Sequence, residues 1–105
     1  MIKVSVAFKN DQIMSVKITG HALSADPGQD LVCAAVSAVG TGTLNALDLL
    51  AQDDYELTLI DTEEPVIEIK TQRINEKGSL ILEVMLIQLK TIQEINPEFI
   101  SIQTN

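Results

Sequence analysis

Apolar and polar residues alternate from Ile2 to Lys9, with Ile2, Val4, Val6 and Phe8 set against Lys3, Ser5 and Lys9. A period of two marks a strand with one buried face. Lys9-Asn10-Asp11-Gln12 is a polar turn of hairpin type, and Ile13 to Thr19 is its return strand, with Ile13, Val16 and Ile18 apolar. The first two strands are therefore expected as an antiparallel pair. Gly20 ends the second of them. Residues 20–28 form a loop punctuated by Gly20, Pro27 and Gly28, and Asp26-Pro27-Gly28-Gln29-Asp30 turns into a helix.

That helix is predicted from about Gln29 to about Gln52, on Leu31, Val32, Val36, Val39, Leu44, Leu47 and Leu50. It is crowded with small residues, Gly40 and Gly42 among them. A helix-interior glycine costs roughly 1 kcal/mol against alanine, so the pair implies either close packing or a bend. Asp53-Asp54 breaks the helix. Tyr55 to Asp61 and Val66 to Gln72 alternate as strands around a turn at Glu63-Glu64-Pro65. Asn75-Glu76-Lys77-Gly78 reads as a turn, and Ser79 as the N-cap of a second helix over 79–95, with Glu83 near its first turn. Apolar residues cover most of this helix's circumference, which points to burial on several sides, one of them by a partner subunit. Pro97 follows its end, and Phe99 to Gln103 is a short last strand. The order β-β-α-β-β-α-β predicts an α+β fold: one domain over residues 1–105, a mostly antiparallel sheet with two helices packed on it.

Composition narrows the classes. The 105 residues are 46% hydrophobic with no tryptophan, so the core is aliphatic and the chain is not disordered. No apolar run is read as long enough to cross a bilayer, because the longest candidate, Leu80 to Leu89, is broken by Glu83 and Gln88. The alternating N-terminus lacks a signal peptide's apolar block. A cytoplasmic protein with no membrane partner is expected. A net charge of -8 argues against binding nucleic acid by phosphate neutralisation. It suits a basic partner, or serves only solubility. The single cysteine excludes an intramolecular disulfide, and one Cys with one His is too few for a zinc site unless carboxylates or a second chain complete it. No cofactor motif is present.

Residues 20–38 carry the candidate chemistry. They hold the only histidine, His21, and the only cysteine, Cys33. A thiol becomes a good nucleophile beside a base, and imidazole is the commonest base at neutral pH. With a helix starting near Gln29 or Asp30, Cys33 falls in the first turn, where the helix dipole favours a thiolate and nearby amides can form an oxyanion hole. The plainer alternative is a small buried cysteine beside a surface histidine. Gly20 permits a tight backbone that would bring His21 over the helix start. Asp30, three residues before Cys33 on the same helix face, either orients His21 as a third triad member or is an ordinary N-terminal carboxylate. Ser37, one turn beyond Cys33, can bond the thiolate or substrate, or bond back to the Cys33 carbonyl.

Gly20-His21-Ala22, Gly28 and Asp30-Leu31-Val32-Cys33-Ala34-Ala35-Val36-Ser37 resemble the two signature blocks of the ribosomal-processing cysteine protease family, Prp. The resemblance implies Cys33 as nucleophile and His21 as general base and acid. It implies removal of the N-terminal extension of a large-subunit ribosomal protein, cut after a pair of aromatic residues and ahead of an alanine. It also implies a homodimer, and a mobile loop hinged at Gly20 and Gly28. Two other readings are a non-catalytic ribosome-associated binding module, and a thiol redox sensor that oxidises reversibly without cleaving peptides.

Overall fold

The computed structural model describes the backbone of residues 1–20 and 27–105, and the side chains outside 21–30. The order is β1 (Ile2–Lys9), β2 (Gln12–Thr19), α1 (Pro27–Leu50), β3 (Tyr55–Ile60), β4 (Val66–Thr71), α2 (Glu76–Ile95) and β5 (Ile100–Thr104). It is the predicted β-β-α-β-β-α-β. The five strands form one sheet in the order β3-β4-β2-β1-β5. Its neighbours run antiparallel, except that β5 lies parallel to β1.

Local chemistry explains the joints. Asn10 and Asp11 both take positive φ, 52° and 65°, as a two-residue hairpin turn requires. Ile13 and Val16 are three apart, which breaks strict alternation. The register steps between Ala7 and Phe8, pairing Phe8 with Ile13 and leaving Met14 as the extra residue of a β-bulge. The bulge keeps Ile13 and Val16 on one face. That face also carries Ile2, Val4, Val6, Ile18, Ile67, Ile69 and Ile100, and both helices bury it. On the open face Lys17 stands between Ser5 and Glu68, and Lys70 between Ser15 and Glu56, so unlike charges meet on adjacent strands.

Both helices start earlier than their sequence signals indicated. α2 begins at Glu76, and its N-cap is Asn75, whose Oδ1 accepts from the Gly78 N–H at 3.0 Å. Asparagine caps as well as serine. The Asn75 amide also donates to Asp54 at 2.8 Å, while the Ser79 hydroxyl donates to Gln12, tying α2 to β2. α1 begins at Pro27, a residue suited to a helix's first position. Gly28, expected as a loop hinge, therefore belongs to the first turn of α1.

Two further expectations change. The stretch Leu31–Leu50, with a mean hydropathy of 1.3, is long and apolar enough to cross a membrane by length and composition. Its alanines, added to its valines and leucines, raise the average although Ser37, Gly40, Thr41, Gly42 and Thr43 interrupt the apolar run. In this fold Val32, Val36, Leu44 and Leu47 of that helix pack into the core. Secondly, α2 buries only one side within the chain, through Leu82, Met85, Leu86 and Leu89. Leu80 and Ile87 are 62% and 59% exposed.

The helix glycines have separate reasons. A Cβ on Gly40 would stand 2.6 Å from Ile67 Cδ1, so close packing, not a bend, accounts for it. A Cβ on Gly78 would overlap the Tyr55 ring, whereas one on Gly42 would meet nothing within 4 Å. Gly42→Ala is accordingly expected to stabilise the chain by up to about 1 kcal/mol. Gly78→Ala, the same change in the other helix, is expected to destabilise it by roughly 1–3 kcal/mol through overpacking. Urea midpoints at unchanged m measure both, and shifts of the same sign would contradict this account.

Candidate active site

Three strand ends and one helix turn enclose a cavity of about 80 Å³. β1 contributes Ile2, β2 contributes Ile18 and runs out to Gly20, and β4 enters from Pro65 through Val66 and Ile67. Cys33, Val36 and Ser37 of α1 close it from above. The inner walls, Ile2, Ile18, Val36 and Ile67, are apolar and between 2 and 9% exposed. Cys33 lies half-buried on the rim. It is there because Cys33, Val36, Ser37 and Gly40 share one face of α1. Gly40 lets that face approach β4, and the same face one to two turns earlier then overhangs the strand ends.

Gly20 fixes the opposite rim. Its φ is +86°, and a Cβ there would overlap the Met1 carbonyl oxygen, with the Ile2 Cα only 3.4 Å away. This is backbone lying on backbone, which only glycine permits. Ile2 is itself held in place, its N–H donating to the Phe99 carbonyl at 2.9 Å. The tight backbone expected at Gly20 is present.

The predicted residues fare differently. Cys33, Ser37 and Gly20 line the same cavity. Ser37 is exposed on the rim, and its carbonyl accepts a hydrogen bond from the Thr41 hydroxyl. His21 directly follows Gly20 in the chain but lies outside the described residues, as does the Asp30 side chain. The backbone of Asp30 stands one turn before Cys33 in α1.

The early start of α1 moves Cys33 into the second turn. Only the first four N–H groups of a helix lack an internal partner. The amide of Cys33 therefore belongs to the helical ladder and does not serve an oxyanion hole, and the terminal dipole fades within the first turn. Pro27 sets this by opening the helix two residues before the predicted start.

Ile2, Ile18, Pro65, Val66 and Ile67 were not foreseen as site residues. Strand alternation puts Ile2, Ile18 and Ile67 on the inner face, but alternation does not say which end of the sheet lies beneath Cys33. A second, larger cavity of about 560 Å³ opens between α1 and α2, along Ala38, Gly42 and Ala46 on one side and Leu80, Ile81 and Val84 on the other. Among the described residues that line it there is no cysteine, histidine or ionisable side chain; Thr43 and Gln88 are its polar members.

The family model of the cysteine protease Prp matches residues 1–101. The chain is 34% identical to the ribosomal processing cysteine protease Prp of Bacillus subtilis, over 100% of this chain and 98% of that one. The crystal structure of SMU.848 from Streptococcus mutans superposes with a TM-score of 0.87 at 31% identity, covering 99% of this chain and 93% of that one. The Prp of Staphylococcus aureus has been solved with a substrate peptide and with a covalently linked product peptide. These two structures superpose at TM-scores of 0.87 and 0.83, with 29% and 31% identity and full coverage of both chains.

Gly20→Ala is expected to lose at least about 1 kcal/mol of stability from the left-handed conformation alone, before the overlap with Met1 is counted. A urea midpoint equal to that of the parent would show that the first strand moves aside without cost.

Proposed function

The chain belongs to the cysteine protease Prp family, and from that premise we propose that Cys33 is its nucleophile and His21 its general base and acid. The observation that carries this is the position of Cys33. It is the only cysteine in a chain of a cysteine protease family, and it shares a cavity with Gly20, the residue that leads into His21. The substrate in this reading is the N-terminal extension of a large-subunit ribosomal protein, cut after an aromatic pair in the cytoplasm. The names of the relatives support ribosomal processing, and a net charge of -8 favours encounter with a basic ribosomal protein.

The chemistry is acyl transfer. His21 takes the proton from the Cys33 thiol, and the thiolate attacks the carbonyl carbon of the scissile bond. His21 then protonates the departing amine, leaving an acyl-enzyme that water hydrolyses. A relative holding a covalently linked product peptide fits such a route. The amides of the first turn of α1, ahead of Cys33, have no partner within the helix and are its nearest donors for the oxyanion. Asp30 orients His21, and Ser37 bonds the substrate from the rim. No cofactor enters the scheme.

A homodimer completes the reading. Leu80, Val84 and Ile87 of α2 and Leu49 of α1 are exposed, and Leu80 and Val84 line the apolar groove between the helices. A second copy seated there buries the side of α2 that the chain leaves open.

A peptide carrying the aromatic-aromatic-alanine junction is expected to be cut once, after the pair, as read by mass spectrometry. Cys33→Ala abolishes the cut, and His21→Ala lowers kcat by roughly 10²- to 10⁴-fold. A folded parent chain that leaves both the peptide and the full ribosomal substrate intact would overturn the reading. Val84→Glu is expected to yield monomers in sedimentation. An unchanged oligomeric state would place the interface elsewhere.

A further inference from the structure

We propose that the free edge of β3 is a docking edge for the substrate, where an extended segment some residues away from the cut bond adds to the sheet as a further strand. The segment that fits has apolar residues at alternate positions and basic residues among or beside them. The proposal rests on the protease reading given above.

β3 is an outermost strand of the sheet, so one side of its backbone has no strand beside it. Among the described residues, no turn or loop backbone bonds to residues 55–60. Natural edge strands are commonly blunted by a lysine, a proline or a bulge. Tyr55–Ile60 holds no lysine and no proline, and its register with β4 runs without a break. Its side chains are open as well. Leu59 pairs with Ile67 on the face that the helices bury, yet it is 52% exposed, and Ile60 on the other face is 43% exposed. β5, the opposite edge, presents no large exposed apolar side chain. Addition of a strand to such an edge supplies main-chain hydrogen bonds, and alternate side chains supply the selection.

Charge selects the occupant. Residues 55–66 carry four acidic side chains, Glu56, Asp61, Glu63 and Glu64, and no basic one. A second copy of this chain pairing parallel along β3 would set that acidic turn against its own like. Pairing antiparallel would set the turn against Asp53 and Asp54, of which only Asp54 has a cation beside it, Arg73 at 3.5 Å. Like charges opposed across a strand pair are destabilising. A basic peptide meets no such penalty in either direction.

The place of the edge ties it to the site. Ile60 pairs with Val66, and Val66 with Pro65 forms a wall of the cavity that holds Cys33. Neighbouring strands lie about 4.8 Å apart, so an added strand passes about 10 Å from β4, a distance that roughly three extended residues cover. The edge therefore reads a segment beyond the residues that flank the cut.

The test compares two peptides of the ribosomal substrate across the same cut, one with about two residues on each side and one with about eight, enough to reach β3 and cover it. The long peptide is expected to show a KM about tenfold or more lower at similar kcat, because binding remote from the reacting bond is shared by ground and transition states. Leu59→Lys is expected to raise KM for the long peptide about tenfold and to leave the short one as it was, which also shows the variant to be folded. Methylating one backbone nitrogen at a time along the long peptide is expected to raise KM at alternate residues only, by about two- to tenfold each, since alternate residues of a strand bond to a given neighbour. Equal kinetics for the two peptides overturns the proposal, and so does a methylation series without alternation. A dimer lost in sedimentation of Leu59→Lys, with cleavage of the long peptide unchanged, gives the edge to a second copy and overturns it too. If the parent chain cuts neither peptide, the catalytic reading fails on its own. The edge is then judged by binding of the labelled long peptide to the parent and to Leu59→Lys, where equal affinity overturns it.

Discussion

The separation of α1 from the sheet fixes where the thiol stands. Val36 and Gly40 form the face of α1 that meets β4, and Gly40 brings the helix close enough for Ile67 to reach beneath it. Cys33 lies two turns before Gly40 on the same rigid helix, so a change in the seat of Gly40 is transmitted to the sulfur as a rigid-body shift. The other half of the site is fixed independently. Gly20 lies on the Met1 and Ile2 backbone, and Ile2 is anchored to the end of the chain through Phe99. The two rims are thus set by two close approaches, one of backbone on backbone at Gly20 and one of the Ile67 side chain on the helix at Gly40.

Fifteen acidic residues face seven basic ones in this chain. Cys33 stands in the second turn of α1, whereas the field of a helix terminus falls off within the first. In the proposed reaction, an imidazolium formed by taking the thiol's own proton leaves the net charge of the pair unaltered. In the same reading the surplus acidity acts at long range and favours encounter with a basic substrate.

Much of the fold was legible because alternation is a local signal. Ile2 to Lys9, Tyr55 to Ile60 and Val66 to Thr71 each showed their strand on their own residues, and the Gly20-His21-Ala22 and Asp30 to Ser37 blocks pointed to one chemistry. What escaped was decided between segments or by near-equivalent local signals. Ser79 was a sound cap, but Asn75 four residues earlier was equally sound, and its bond to Asp54 across the chain tipped the choice. Met14 became a bulge because β1 needed Ile13 and Val16 on one face together. Gly40 and Gly42 looked alike until Ile67, a residue 27 positions after Gly40, was seen to lie against only one of them. The floor of the site was hidden for the same reason. The sheet order sets β4 beside β2, and only that pairing puts Ile18 and Ile67 next to each other beneath Cys33.

The aliphatic composition has a consequence for how such a site keeps its shape. Ile2, Ile18, Val36 and Ile67 are all β-branched, and such side chains are stiff at χ1. A floor of leucine or methionine could rotate into an 80 Å³ space and fill it. Branched side chains locked by a β-ladder and a helix face hold the space open. The larger groove between α1 and α2 is built differently: small residues of α1, Ala38, Gly42 and Ala46, face the longer Leu80, Ile81 and Val84 of α2. The chain thus keeps two apolar concavities by two means, stiff branched walls in one and small residues on one helix in the other. The thiol accompanies the first, and for that reason the proposed reaction is set at the small cavity and not at the large one.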